Sequence, residues 1–220
     1  MTMQIYAGPE REPAPAAAPA ASLAAAPAMT MRRLRDIVGC LLILALTLPL
    51  LLLVALAIKA TSRGPVLYRQ DRVGLHGRVF SILKFRSMRL DAEAAGPRWA
   101  DRRDPRVTPI GRLLRGFHID EIPQIFNVLR GEMSLVGPRP ERPVFVDELS
   151  RLLPRYTERS TVLPGITGCA QVRHPYGASV EDARAKLVHD LHYVANPSLG
   201  HDLRILAATV HVVLFRVGAR

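Results

Sequence analysis

The sequence predicts an α+β protein: a re-entrant membrane helix followed by a mainly helical cytoplasmic domain with a small β-hairpin and interfacial amphipathic helices. Three observations carry that prediction. The run from Ile37 to Ile58 is apolar, uncharged and interrupted by one proline. Two strand-like segments flank a turn at Gly74 and Gly77. Segments with helical apolar spacing then recur from Ile122 to the C-terminus. At 220 residues the chain holds one substantial domain plus appendages. Its parts are a tail over 1–31, a membrane helix over 32–59 and a domain over 60–220.

Residues 1–31 are rich in Ala and Pro, carry charge only at Glu10, Arg11 and Glu12, and show no amphipathic period, which predicts a disordered tail. They lack the early positive cluster and short apolar core of a signal peptide. Ile37 to Ile58 is long enough to cross a bilayer. Pro49 removes one helical hydrogen bond there and its ring meets the carbonyl of Ala45, so a break or kink is expected. Arg32, Arg33 and Arg35 precede the run, and Lys59, Arg63, Arg69 and Arg72 follow it. Positive charge on both flanks leaves neither end favoured for the outer side. A helix that dips into the membrane at Pro49 and returns resolves the tie and keeps the domain cytoplasmic. A plain single-pass anchor is the alternative.

Val66–Arg69 and Arg78–Phe85 read as the strands of a hairpin. Strand alternation puts Lys84 and Arg86 on one face, where they present two cations to a shared ligand or guard a solvated edge. Residues 91–108 read as loop or short helix. Leu113 and Leu114, flanked by Arg112 and Arg115, lead into Asp120 and Glu121, which stand just before the periodic residues Ile122, Ile125, Phe126 and Leu129. Pro123 fits a first helical turn and Gly131 a C-terminal stop, so Asp120 is expected as the N-cap. A helix start favours anions, yet this one holds two acids with Arg115 one turn upstream. Such crowding points to a metal and a phosphate; the plainer reading is a capping acid with an exposed neighbour.

Met133–Val136 reads as a short strand. In Gly-Pro-Arg-Pro, residues 137–140, two prolines hold Arg139 in one extended geometry, and a pre-organised guanidinium loses less entropy on gripping a phosphate. A helix follows over Pro143–Leu153, then turns at Pro164-Gly165 and Gly168, with Ala170–Val172 as an edge element. Val180–Tyr193 reads as a helix, and Ser198 opens a last apolar helix with a wide hydrophobic arc, suited to the membrane interface or to packing beneath the anchor.

The net charge is +11, almost all of it from the domain after Lys59, which calls for an anionic partner. Aromatics make up only 5% of residues, and no zinc or helix-turn-helix signature is present, which argues against nucleic acid. Cys40 and Cys169 are too few and too far apart for a disulfide framework.

Taken together, the segments SRGPVLYRQDRVGLHGRVFSILKFRSM, DPRVTPIGRLLRGFHIDEIPQIFNVLRGEMSLVGPRP, PGITGCAQV and KLVHDLHYVANPS resemble the bacterial sugar transferases, or monotopic phosphoglycosyl transferases, over residues 32–213. The resemblance implies a monotopic enzyme at the cytoplasmic face of the bacterial inner membrane, with 60–220 as its phosphoglycosyl transferase domain. It implies Mg2+ as cofactor, and a UDP-sugar and polyprenyl (undecaprenyl) phosphate as substrates. A sugar phosphate would pass to the lipid with release of UMP, the initiating step of polysaccharide or glycan assembly. At matching positions, Asp120 resembles the nucleophile that forms a phospho-aspartyl intermediate, with Glu121 helping it hold Mg2+. Lys84, Arg86, Arg115 and Arg139 are the candidates for neutralising phosphate charge. The chain differs from the family where Leu48 precedes Pro49 in place of a small polar residue. It differs again at Cys169, where an aromatic is common, and at Arg173-His174-Pro175, which replaces a Gly-Arg ending.

Overall fold

The structure is a computed structural model that describes residues 26–94, 96, 98–99, 104–174 and 179–214. The expected tail up to residue 25, parts of the 91–108 and 173–179 loops, and the chain beyond 214 lie outside the described residues.

Helix α1 runs from Ala26 to Thr61 with Pro49 inside it. It starts within the stretch expected to be tail, and the helix continues through the proline instead of breaking there. The Thr47 hydroxyl donates to the carbonyl of Ile43 at 2.7 Å, one turn back. That bond does not reach the Ala45 carbonyl that Pro49 leaves without its helical donor. Asp36, Cys40, Leu51, Val54 and Ile58 are buried and form one stripe along the helix. Leu42, Leu46, Leu52, Leu53 and Leu56 are exposed on its other faces. Among the described residues this is the one helix long and apolar enough to cross a membrane.

Strands β1 (Leu67–Val73) and β2 (Val79–Phe85) form the expected antiparallel hairpin, with Leu67 opposite Phe85 and Val73 opposite Val79. A short 3-10 turn, Leu75–Gly77, joins them. After the 91–108 loop come α2 (Pro109–Gly116), a 3-10 helix (Ile119–Gln124) and α3 (Ile125–Arg130). Thr108 caps α2 by accepting from the Gly111 N–H at 3.0 Å. Gly131 ends α3 in the left-handed conformation at φ 83.

The second sheet is a parallel pair of three-residue strands, β3 (Ser134–Val136) and β4 (Gly165–Thr167), separated by α4 (Pro143–Leu152) and a 3-10 helix, Tyr156–Thr161. Cys169–Arg173 is a short helix, α5, so the edge element expected at Ala170–Val172 is replaced by β4 a few residues earlier. Gly165 and Gly168 allow this shift, because a Cβ on either would collide with the backbone of Gly137. Helix α6 (Val180–Ala195) opens with a reciprocal Ser179–Asp182 capping box, and α7 (Leu199–Leu214) closes the described chain.

The core joins the anchor to the domain. Cys40 packs with Ile82, Ile125, Val128, Met133, Leu135, Val136, Tyr193 and Ile205. Further along α1, Leu51, Val54 and Ile58 pack with Phe85 and Leu114. Both ends of α1 are also held by polar contacts. Near its start, Arg33 donates to the Leu129 carbonyl at 2.6 Å, and Asp36 accepts from the Leu135 N–H at 3.2 Å. At its end, Arg86 donates to the Arg63 carbonyl at 2.7 Å, the Ser62 hydroxyl at 2.7 Å and the Ser62 carbonyl at 3.2 Å.

Candidate active site

Asp120 and Glu121 lie in the first turn of the Ile119–Gln124 3-10 helix. The residue at the cap position is His118, in the left-handed conformation at φ 56, and it makes no side-chain capping bond. Asp120 is therefore inside the turn and not its N-cap. The chain leaves α2 through Phe117, reverses at His118 and presents two successive acids in the tighter 3-10 geometry.

The acids have different surroundings. Glu121 is gripped by two cations: Lys84 Nζ donates to Oε1 at 2.8 Å, Arg139 Nη1 donates to Oε2 at 3.0 Å, and Arg139 Nη2 donates to Oε1. Burial works to raise the Glu121 pKa, but Arg139 and Lys84 outweigh it and hold the carboxyl well below the usual range. Asp120 is 6% exposed, and among the described residues none donates a hydrogen bond to its carboxylate. Burial first, and the Glu121 charge second, raise its pKa, while Lys84, Arg115 and Arg139 oppose the rise. The result is one carboxylate locked by cations beside another left with open lone pairs.

Each expected cation has a definite place. Lys84 comes from β2 and Arg139 from the Pro138–Pro140 segment after β3, and both reach Glu121. Arg115 acts on Asp120 through its charge. Arg86 is not brought to the carboxylates: it is buried, and its side-chain bonds go to the end of α1. It follows β2 directly, and in place of the shared ligand expected for it with Lys84, the side chain is drawn to carbonyls at a helix C-terminus, which favours a cation. Gly64 makes that approach possible, since a Cβ there would lie 2.3 Å from Arg86 Nη1 and its φ is +107.

Two supports were not read from the sequence. Asn127, fully buried in α3, accepts from the Leu83 N–H at 3.0 Å and donates to the Ser81 carbonyl at 2.8 Å. It pairs with the open edge of β2 and so fixes the strand that carries Lys84. An amide among the apolar residues of 125–129 was the available signal. Arg159 pairs with Asp190 at 2.7 Å and donates to the Arg139 carbonyl at 2.8 Å. Those partners are far apart in sequence, and no local pattern links them.

An acid pair, Asp120 buried and Glu121 partly buried, under lysine and arginine, on a domain docked along an apolar leucine-faced helix, is the arrangement expected of a protein that handles phosphate-bearing substrates at a membrane surface. The bacterial sugar transferase family model matches residues 27–216, and the chain belongs to that family. It is 46% identical over 190 residues to the UDP-N-acetylgalactosamine-undecaprenyl-phosphate N-acetylgalactosaminephosphotransferase of Aeromonas hydrophila, covering 86% of this chain and 45% of that protein. It is 47% identical over 185 residues to a UDP-glucose:undecaprenyl-phosphate glucose-1-phosphate transferase of Caulobacter vibrioides, covering 83% and 69%. An exopolysaccharide production protein of Rhizobium leguminosarum is 41% identical over 191 residues, covering 83% and 94%. The chain thus spans less than half of the Aeromonas relative and nearly all of the Rhizobium one.

Proposed function

We propose that this chain transfers a sugar phosphate from a UDP-sugar to a polyprenyl phosphate such as undecaprenyl phosphate, releasing UMP, at the cytoplasmic face of the bacterial inner membrane, as the initiating step of polysaccharide or glycan assembly. The observation that carries the reading is the division of labour in the acid pair: Glu121 is clamped by Lys84 and Arg139, while among the described residues none donates a hydrogen bond to the Asp120 carboxylate beside it. A carboxylate without donors keeps its lone pairs for attack, and fixed cations offset the repulsion between that anion and a diphosphate.

In the first half-reaction an Asp120 oxygen bonds to the sugar-bearing phosphorus, and the bond from that phosphorus to the bridging oxygen breaks. The bridging oxygen and its electron pair leave with UMP. In the second, an oxygen of the lipid phosphate attacks the same phosphorus and the Asp120 carboxylate departs, giving a lipid diphosphate sugar. Lys84 and Arg139 fix the direction of Glu121 and place positive charge beside the phosphate, and Arg115 adds charge from the α2 side.

The donor set fits Mg2+. Among the described residues Asp120 accepts no hydrogen bond and Glu121 Oε2 accepts from Arg139 alone, and this ion typically takes one or two carboxylates together with substrate phosphates. Asp120 and Glu121 would hold it, and when bound it would neutralise phosphate charge. Among the described residues no group of three or more His, Cys, Asp or Glu forms a separate metal site.

Anchoring is re-entrant on this reading. A straight helix from Asp36 to Thr61 would be about 38 Å long at 1.5 Å per residue, more than the roughly 30 Å of bilayer hydrocarbon. A rod of that length that crossed would leave its ends on opposite sides. Arg33 and Asp36 at one end, and Ser62 and Arg63 at the other, instead contact the same domain. That supports α1 keeping both its ends at one face of the membrane, bent at Pro49 where a helical hydrogen bond is lost, with its exposed leucines in the acyl region and the acid pair near headgroup level.

The test is to incubate the purified full chain in lipid nanodiscs with a panel of UDP-sugars, Mg2+ and undecaprenyl phosphate, and to measure UMP. Release that requires both a UDP-sugar and the lipid phosphate is expected. Release without lipid phosphate would mean hydrolysis, and none with any UDP-sugar would reject the function.

A further inference from the structure

We infer that Arg159 is a positioning residue for this reaction, holding the main chain at Arg139 so that the Arg139 guanidinium meets Glu121. The inference rests on the function proposed above. Prolines 138 and 140 take two amide donors out of the segment that carries Arg139, so its position depends on what its carbonyls accept. Four successive carbonyls are each held from elsewhere. Pro138 accepts from the Gly165 N–H at 2.9 Å, and Glu141 accepts from the Val73 N–H at 2.9 Å. Pro140 accepts from Arg72 Nη1 at 2.9 Å. The carbonyl of Arg139 itself accepts from Arg159 Nη2 at 2.8 Å.

Every nitrogen of the Arg159 guanidinium has a protein acceptor. Nε and Nη2 donate to Asp190 Oδ2 at 3.1 and 2.7 Å, and Nη1 donates to the Tyr156 hydroxyl at 2.9 Å. The group also lies 5.1 Å from the centre of the Tyr156 ring. Asp190 is 2% exposed on α6 and makes no contact with Glu121 or Asp120 in this network. Such a fork cannot be replaced by lysine, whose compact ammonium does not reach three acceptors in one plane. A buried ion pair is in itself weak evidence for stability, and this one ends on the backbone of an active-site arginine.

The experiment measures UMP release for wild type, Arg159→Lys, Arg139→Lys and the double variant, together with hydrogen exchange of all four. A misplacement of about 1 Å caused from a distance can cost about 100-fold, so the smaller displacement in Arg159→Lys is expected to lower kcat/KM by about tenfold. The same change in the Arg139→Lys background should cost less than about twofold, because the guanidinium it positions is gone. Exchange should quicken in the peptide covering 137–141 and stay unchanged in β2. Equal losses in both backgrounds, or quickened exchange across β2 as well, would overturn the inference. If wild type releases no UMP, the functional reading fails, while unchanged exchange at 137–141 in Arg159→Lys would still by itself reject the hold on Arg139.

Discussion

Arg139 forks onto Glu121, Nη1 donating to Oε2 at 3.0 Å and Nη2 to Oε1, and its charge opposes the rise in pKa that burial brings to the acid. Arg139→Lys keeps the charge and loses the fork. UMP release should fall about 10- to 100-fold in kcat/KM, the scale on which misplaced groups act. The pH profile should move as well. Arg139 lowers the Glu121 pKa, so weakening that contact raises it, and protonated Glu121 then appears at higher pH than in wild type. The acid limb of the rate profile is expected to shift upward; a slower enzyme with an unmoved acid limb would show that the fork does not set the Glu121 charge.

Asp120→Asn separates chemistry from stability. Losing the proposed nucleophile should reduce UMP release by at least about a thousandfold, and retained activity would remove Asp120 from that role. Stability should change in the opposite direction. Burial and Glu121 raise the folded-state pKa of Asp120 above its unfolded value of about 3.9. Ionising it therefore costs stability as pH rises through that window, and the cost is present at neutral pH. The variant should unfold at a higher temperature than wild type at pH 7, with the gap closing as pH falls toward 4. An equal or lower midpoint at pH 7 would contradict the account of a charge kept ionised against burial.

Much of this site was legible because its residues are clustered in sequence. Asp120, Glu121 and Arg139 fall within one stretch, and strand alternation put Lys84 on a shared face with Arg86. What alternation could not supply was the pull on each side chain: Lys84 faces a carboxylate, and Arg86 faces the carbonyl end of α1. The hairpin, α4, α6 and α7 follow from local periodicity and capping. β4 does not, because three residues paired with Ser134–Val136 carry no period of their own. The absence of a break at Pro49 also escaped local reading: the helix runs on through it, and the stripe from Asp36 to Ile58 packs α1 against the domain on both sides of the proline. Arg159 and Asp190 meet only in the folded chain.

The anchor's topology can be read by labelling. Leu34 and Thr61 are exposed near opposite ends of α1, whereas Cys40 and Cys169 are buried. Leu34→Cys and Thr61→Cys should both react with a membrane-impermeant maleimide in inverted inner-membrane vesicles, and neither should react in intact spheroplasts. Reaction of one site in each preparation would establish a single-pass helix.

Asp202 links the last helix to the start of the anchor. It is fully buried in α7, where Arg35 donates to Oδ2, Arg32 Nε lies 3.5 Å from Oδ2, and the Tyr193 hydroxyl donates to Oδ1 at 2.8 Å. Removing one partner of a buried charge pair costs about 3–5 kcal/mol. Arg35 keeps a second carboxylate in Asp36, so Asp202→Ala should fall near the lower end, about 3 kcal/mol. Asp202→Asn retains an acceptor for the Tyr193 hydroxyl and should lose less than the alanine variant. Urea unfolding in nanodiscs measures both, and limited proteolysis shows where the loss falls. Cleavage should increase first near residues 196–204, at the junction of α6 and α7, while the peptide containing Asp120 stays protected. Equal destabilisation by the two substitutions would mean that the Tyr193 contact contributes nothing, and an unchanged midpoint in Asp202→Ala would mean that the pair does not hold α7 to the anchor.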